Sequence, residues 1–238
     1  ARKRRPVLIN NCEATYFNFN GEKLIHIAEA AKDLGIEMLV LDDGWFGKRD
    51  SDYTGLGDWE VNETKLGGTL KGLAERINGL GMKFGIWVEP EMISEDSNLY
   101  RCHPNWAMRI PGRPGNIARN QFVLDFSRPE VVDGIQDMIF KILDEVNIEY
   151  IKWDFNRSIS NYFSAVLPSG RQGEIGYRYM LGLYRFLENL VSRYPHILLE
   201  SCSGGGGRFD FGMLYYSPQI WCSDNTDAVE RLKIQYGT

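Results

Sequence analysis

The sequence predicts a single α/β domain curled into a TIM-like barrel, and three observations predict it. Short runs of β-forming residues alternate with longer stretches of helical period, the pattern of parallel strands joined by crossover helices. Polar residues gather at the C-terminal ends of one strand after another, the face on which such a barrel builds its site, whereas an open doubly wound sheet concentrates its site at one switch point. No linker, and no internal repeat beyond the βα unit, divides residues 1–238.

The first strand is read at residues 6–10 (PVLIN), followed by a helix over 22–35 that Gly35 closes. The second strand occupies 37–46 (EMLVLDDGWF) and the second helix 69–81, closed by Gly81. A third strand covers 83–91 (KFGIWVEPE). Residues 91–121 then carry Pro104, Pro111 and Pro114 without a clear period, and so long an irregular stretch is read as a functional cap over the site. QFVLDF (121–126) has strand character but runs straight into a helix start, so it is assigned to this excursion rather than to the barrel. A helix over 128–146, with Pro129 in its first turn, leads to the fourth barrel strand at 149–155 (EYIKWDF). A helix over 175–194, a strand over 196–202 (HILLESC) and a sixth strand over 219–225 (QIWCSDN) complete the reading. The barrel is therefore expected to be truncated after its sixth strand, with residues 229–238 supplying the start of one more helix. Two open edges would then invite association with a second copy.

Composition narrows the function classes. A net charge of -5 and a pI near 5.4 give no basic footprint for nucleic acid. No apolar run approaches the roughly 18 residues that span a bilayer, so no membrane partner is expected. The four cysteines, Cys12, Cys102, Cys202 and Cys222, lack a Cys-x-x-Cys pair and are read as reduced thiols of a soluble, cytoplasmic protein. The basic opening ARKRRP precedes too short an apolar run for a signal peptide and is read as a solvated lead-in to the first strand. Without such a signal, the glycosylation patterns beginning at Asn62 and Asn156 carry little weight.

The chemistry is densest at Lys152-Trp153-Asp154-Phe155-Asn156-Arg157. Side chains alternate along a strand, so Lys152, Asp154 and Asn156 share the face at the barrel mouth while Trp153 and Phe155 turn toward packed helices. A cation roughly 7 Å away on the same face favours the charged form of the Asp154 carboxylate. Asp224 ends another strand among several acids, and such crowding favours a group that holds a proton. Two carboxyl groups of divergent proton affinity across a bond are the machinery of glycoside hydrolysis. Trp87 offers a stacking face, Arg119 and Lys152 offer donors, and the paired Asp42 and Asp43 can accept from adjacent hydroxyls.

Plainer readings stand beside these. Asp42 and Asp43 could hold a divalent metal, but no His or third carboxylate recurs at ligand spacing, so no metal is expected. Gly204 to Gly207 lack the ending of a phosphate loop and are read as a close backbone approach to a ligand. Cys202, judged by residue type alone, is an ordinary buried thiol. His26, His103 and His196 fall away from the strand ends and are read as structural.

Seven segments occur in order over nearly the whole chain: RPVLINNCEATYFNF, LDDGWFGKRD, GLGDW, GIWVEPEM, KWDFNR, ESCSGGGGRFD and WCSDNTDA. Together they make the sequence resemble the catalytic domain of glycoside hydrolase family 36 α-galactosidases. The resemblance implies a (β/α)8 barrel with Asp154 as nucleophile and Asp224 as acid/base on its fourth and sixth strands. It implies galactose contacts from Asp42, Asp43, Trp87, Arg119, Lys152, Asn156 and Cys202, and no cofactor. The implied activity is retaining hydrolysis of terminal α-linked galactose from α-galactosides such as melibiose or raffinose. The family's flanking β-rich domains are expected to lie outside residues 1–238. Cys12 stands where the family usually has Trp, and Phe211 where it usually has Pro; loss of an indole beside the first strand bears on substrate preference there. Other readings are an α-N-acetylgalactosaminidase, a galactosyl transferase, or an incomplete barrel that binds galactosides without turnover.

Overall fold

The computed structural model describes residues 4–237; the start of the basic lead-in (1–3) and residue 238 lie outside the described residues. Aliphatic runs set the strands: β1 (Leu8–Asn10), β2 (Met38–Leu41), β3 (Lys83–Val88), β4 (Met92–Ile93), β5 (Phe122–Val123), β6 (Tyr150–Trp153), β7 (Leu198–Ser201) and β8 (Gln219–Ile220). Six of them form one parallel sheet in the order β1-β2-β3-β6-β7-β8. Every residue of β2 is buried, the mark of a parallel strand covered on both faces. The connections carry α1 (Cys12–Thr15), α2 (Gly21–Asp33), α3 (Glu63–Leu66), α4 (Leu70–Gly79), α5 (Asn98–Cys102), α6 (Pro129–Glu145), α7 (Ile175–Arg193), α8 (Phe211–Tyr216) and α9 (Ala228–Gly237).

The sheet curls into a half-barrel. Met38, Val40 and Tyr150, with Leu8 and Leu198, form a small apolar cluster drawn from four strands, separate from the large core under the helices. Arg5 Nη2 donates to the Pro218 carbonyl at 3.2 Å, tying the approach to β1 to the approach to β8. Outside, α6 buries Val131, Val132, Ile135, Ile139 and Ile142, and α7 buries Tyr179, Leu183, Phe186 and Leu190, each a stripe of helical period. Trp153 meets Phe186 of α7 edge-on at 4.9 Å, so the outward face of β6 lies in the core as its alternation predicts. A Cβ on Gly182 would strike the Phe126 carbonyl, a close approach that only glycine permits and that seats α7 against the segment after β5.

The element order follows the sequence reading, with Gly35 and Gly81 in the left-handed region beyond α2 and α4. Residues 122–123 pair antiparallel with Met92–Ile93 in a separate ribbon, leaving β3 to pair directly with β6. QFVLDF is thus an excursion and not a barrel strand. The strands read at 37–46 and 149–155 stop at Leu41 and Trp153, so Asp42 and Asp154 are each the first residue past a strand. Helices α1, α3, α5 and α8, four to six residues each, are too short to show a period. Phe211 opens α8 in full exposure, with Asp210 capping the Met213 N–H at 3.0 Å. No helix among the described residues is long and apolar enough to cross a membrane.

Candidate active site

Carboxylates collect where β2, β3 and β6 end side by side. Asp42 donates its backbone N–H to Asn11 Oδ1 at 2.8 Å, and its Oδ1 accepts the Asp43 N–H at 2.9 Å. Its Oδ2 accepts from the Asn10 amide and from Lys152 Nζ at 3.1 Å. Lys152 therefore pairs with Asp42 rather than directly with Asp154, because their strands bring residues 110 apart in sequence to the same face. Burial works against the Lys152 ammonium, but the charges of Asp42 and Asp154 outweigh it and hold its pKa above the ordinary lysine range.

Asp154, 5% exposed, is fully engaged: Oδ2 accepts Trp87 Nε1 at 3.0 Å and Asn156 Nδ2 at 2.8 Å, and Oδ1 accepts the Phe155 N–H at 2.8 Å. Trp87 is 2% exposed and lies parallel to Phe46 with ring centroids 6.3 Å apart. It serves the site through its N–H; the open stacking face read from the sequence is packed into the core. Cys202 donates its N–H to the Trp153 carbonyl at 2.8 Å, and its buried thiol is pushed above the usual range by desolvation and then by the Asp154 charge. Cys12 borders the same cluster: burial and then the Asp42 charge push its thiol up to about 12.

Glu91, fully buried, binds the glycine loop to this frame. It accepts Trp153 Nε1 at 2.8 Å, the Tyr179 hydroxyl at 2.5 Å and Arg208 Nη1 at 2.8 Å. Arg208 lies 4.3 Å from the Phe155 ring, and Ser203 Oγ donates to the Phe155 carbonyl at 2.9 Å. Gly206 N–H reaches the Cys222 carbonyl at 3.0 Å, so the loop joins the ends of β7 and β8. The close approach its glycines make here is to the protein's own backbone at Cys222 rather than to a ligand.

Asp224 sits beyond β8, exposed, with its Oδ1 accepting Trp221 Nε1 at 2.7 Å. The Trp221 ring lies 5.8 Å from Lys152 Nζ, which places Asp224 on the rim beside the cluster. Asp224 faces solvent, whereas Glu89 is buried next to Asp154, and burial and then the Asp154 charge push its carboxyl upward. Arg119 lies in the turn before β5 with φ 53°, exposed, and makes no hydrogen bond or ion pair among the described residues. The structure thus gathers Asp42, Asp43, Trp87, Lys152, Asp154, Asn156 and Cys202, sets Asp224 at the rim, and leaves Arg119 exposed and without a hydrogen bond to them among the described residues.

The sequence reading places Asn10, Asn11 and Glu89 among the polar strand ends without giving them a role, and it missed the supporting residues Arg49 and Gln121. Arg49 is the clearest case, since it stands only six residues from Asp43 in LDDGWFGKRD. It clamps that carboxylate through Nε to Oδ1 at 3.0 Å and Nη2 to Oδ2 at 2.7 Å, at 2% side-chain exposure. Burial raises the Asp43 pKa and Arg49 opposes it. Removing one partner of such a pair strands the other, so Arg49→Met is expected to cost about 3–5 kcal/mol in urea unfolding; a loss under about 1 kcal/mol would show that the pair is dispensable.

A family model described as Melibiase matches residues 1–238. The α-galactosidase AgaA of Geobacillus stearothermophilus is 60% identical over 236 residues, covering 99% of this chain and 32% of that protein. The bifunctional α-galactosidase/sucrose kinase AgaSK of Mediterraneibacter gnavus is 59% identical over 235 residues, 99% of this chain and 24% of that protein. The chain spans about a third or less of the length of these relatives. Among solved structures, the family 36 α-galactosidase AgaA superposes with a TM-score of 0.96 over 99% of this chain and 33% of that one, at 60% identity. A variant of AgaA solved in complex with raffinose matches with a TM-score of 0.96 at 59% identity, over 99% of this chain and 33% of that one.

Proposed function

Because the chain belongs to the melibiase family of glycoside hydrolase family 36 α-galactosidases, we propose that its barrel mouth hydrolyses terminal α-linked galactose from oligosaccharides by a retaining double displacement. The observation that carries this reading is Asp154: a buried carboxylate at the end of β6, oriented by three donors. Those donors aim its charge without covering it with a counter-ion, since Lys152 is engaged by Asp42. Asp154 attacks the anomeric carbon and the glycosidic oxygen departs with a proton from Asp224, leaving a galactosyl ester. Asp224 then takes a proton from water, which displaces Asp154. Exposure of Asp224 at the rim suits a group that exchanges protons with solvent between the two steps. Asp42, Asp43 and Lys152 provide acceptors and a donor for adjacent hydroxyls, with Asn156 and Cys202 beside them. Raffinose in complex with the AgaA variant supports α-galactosides as the substrate class.

Two inversions at one carbon give net retention, so α-galactose is expected as the first product in proton NMR of a fresh reaction. β-Galactose appearing first would overturn the mechanism. Turnover of nitrophenyl α-galactoside in preference to nitrophenyl α-N-acetylgalactosaminide identifies the sugar, and galactose binding without turnover of either would leave a binding module in place of an enzyme.

A further inference from the structure

Glu89 lies one residue beyond β3, 1% exposed, and the displacement chemistry makes no use of it. Its Oε1 accepts the Asn156 backbone N–H at 2.5 Å and Gln121 Nε2 at 2.8 Å. Asn156 in turn donates its side-chain amide to Asp154 Oδ2 at 2.8 Å. One carboxyl oxygen therefore fixes the backbone of the residue whose amide holds one edge of the Asp154 carboxylate. Among the described residues, charged groups acting on Glu89 include Asp154 beyond β6 and, in the loop after β2, Asp43 and Arg49; Gln121, before β5, is neutral. Arg49 is committed to Asp43 by its two-pronged contact. Both hydrogen bonds fall on Oε1, so Oε2 is the oxygen that can carry a proton.

We propose that Glu89 is a further positioning residue for the reaction at Asp154, aligning Asp154 through Asn156. The proposal rests on the galactosidase reading. Burial, and after it the Asp154 charge, push the Glu89 pKa up to about 8. Below that pH Glu89 keeps its proton and adds no negative charge beside Asp154. As pH rises through about 8 Glu89 ionises, and two carboxylates in one buried site repel, which disturbs the Asn156 bridge.

Glu89→Gln retains an acceptor for the Asn156 N–H but cannot ionise. With nitrophenyl α-galactoside, whose leaving group needs no proton from Asp224, it is expected to keep kcat/KM at pH 6 within about fivefold of wild type and to move the alkaline limb of that profile upward by about one pH unit or more. Glu89→Ala removes the acceptor, and kcat should fall about 100-fold with little change in KM. Independently of turnover, isotope-edited infrared spectra of the wild-type protein should show a protonated glutamate carboxyl that titrates near pH 8 and is missing from Glu89→Gln. An alkaline limb unmoved in Glu89→Gln, or no such carboxyl at neutral pH, would overturn the proposal. If Glu89→Ala does not fold, Glu89→Gln and the infrared titration decide. A wild-type protein without turnover would sink the galactosidase reading itself, and the infrared band would still decide whether Glu89 is a neutral acid.

Discussion

Asp154→Gly is expected to lose turnover of nitrophenyl α-galactoside by about 10³-fold or more, because the proposed mechanism forms the galactosyl ester on this carboxylate. The substitution leaves Trp87 Nε1 and Asn156 Nδ2 pointing into the space the carboxylate occupied. Those donors favour a small anion there, so added azide should restore part of the rate by attacking from the vacated side. The product should be β-galactosyl azide, inverted because a single displacement has replaced two. A variant that hydrolyses the substrate well without azide would remove Asp154 from the nucleophile's role.

Asp224→Asn should slow raffinose hydrolysis by about 10²–10⁴-fold, the usual contribution of a positioned acid or base. The loss should depend on the leaving group. Nitrophenolate departs without a proton, so formation of the galactosyl ester from nitrophenyl α-galactoside should be slowed far less. Hydrolysis of that ester needs the base and should become limiting, giving a burst of nitrophenolate followed by a slow steady state. Azide, which needs no base, should relieve the second step and yield α-galactosyl azide. The two variants thus predict azides of opposite configuration. Equal slowing of raffinose and the nitrophenyl substrate, with no burst, would show that Asp224 does not act as the acid.

Much of the frame could be read directly. Gly35 and Gly81 stand beyond the ends of α2 and α4, where the sequence places the close of each helix. These signals act within a turn or two of chain, as does the alternation that sends Trp153 to the core and Asp154 to the mouth. QFVLDF (121–126) was separable from the barrel because it runs straight into the helix start signalled by Pro129. The supporting contacts were less legible. Nothing local marks Glu89 as a buried acid or couples Gln121 to it 32 residues away. The packing of Trp87 against Phe46, and the solvent around Arg119 and Asp224, likewise follow from which loops come together.

The sequence by itself determined the order of strands and helices, the excursion between β3 and β6, and the polar residues brought to the strand ends. Each depends on short-range periodicity, capping and turn chemistry. Tertiary structure alone decided who partners whom: Lys152 with Asp42 across 110 residues, Trp87 with Asp154 across 67, and Glu89 with the Asn156 backbone across 67. It also decided which acid is buried beside Asp154. The physical reason is that charge interactions and desolvation depend on distance and on what excludes water, and both are set when the sheet curls and the loops close over its C-terminal face.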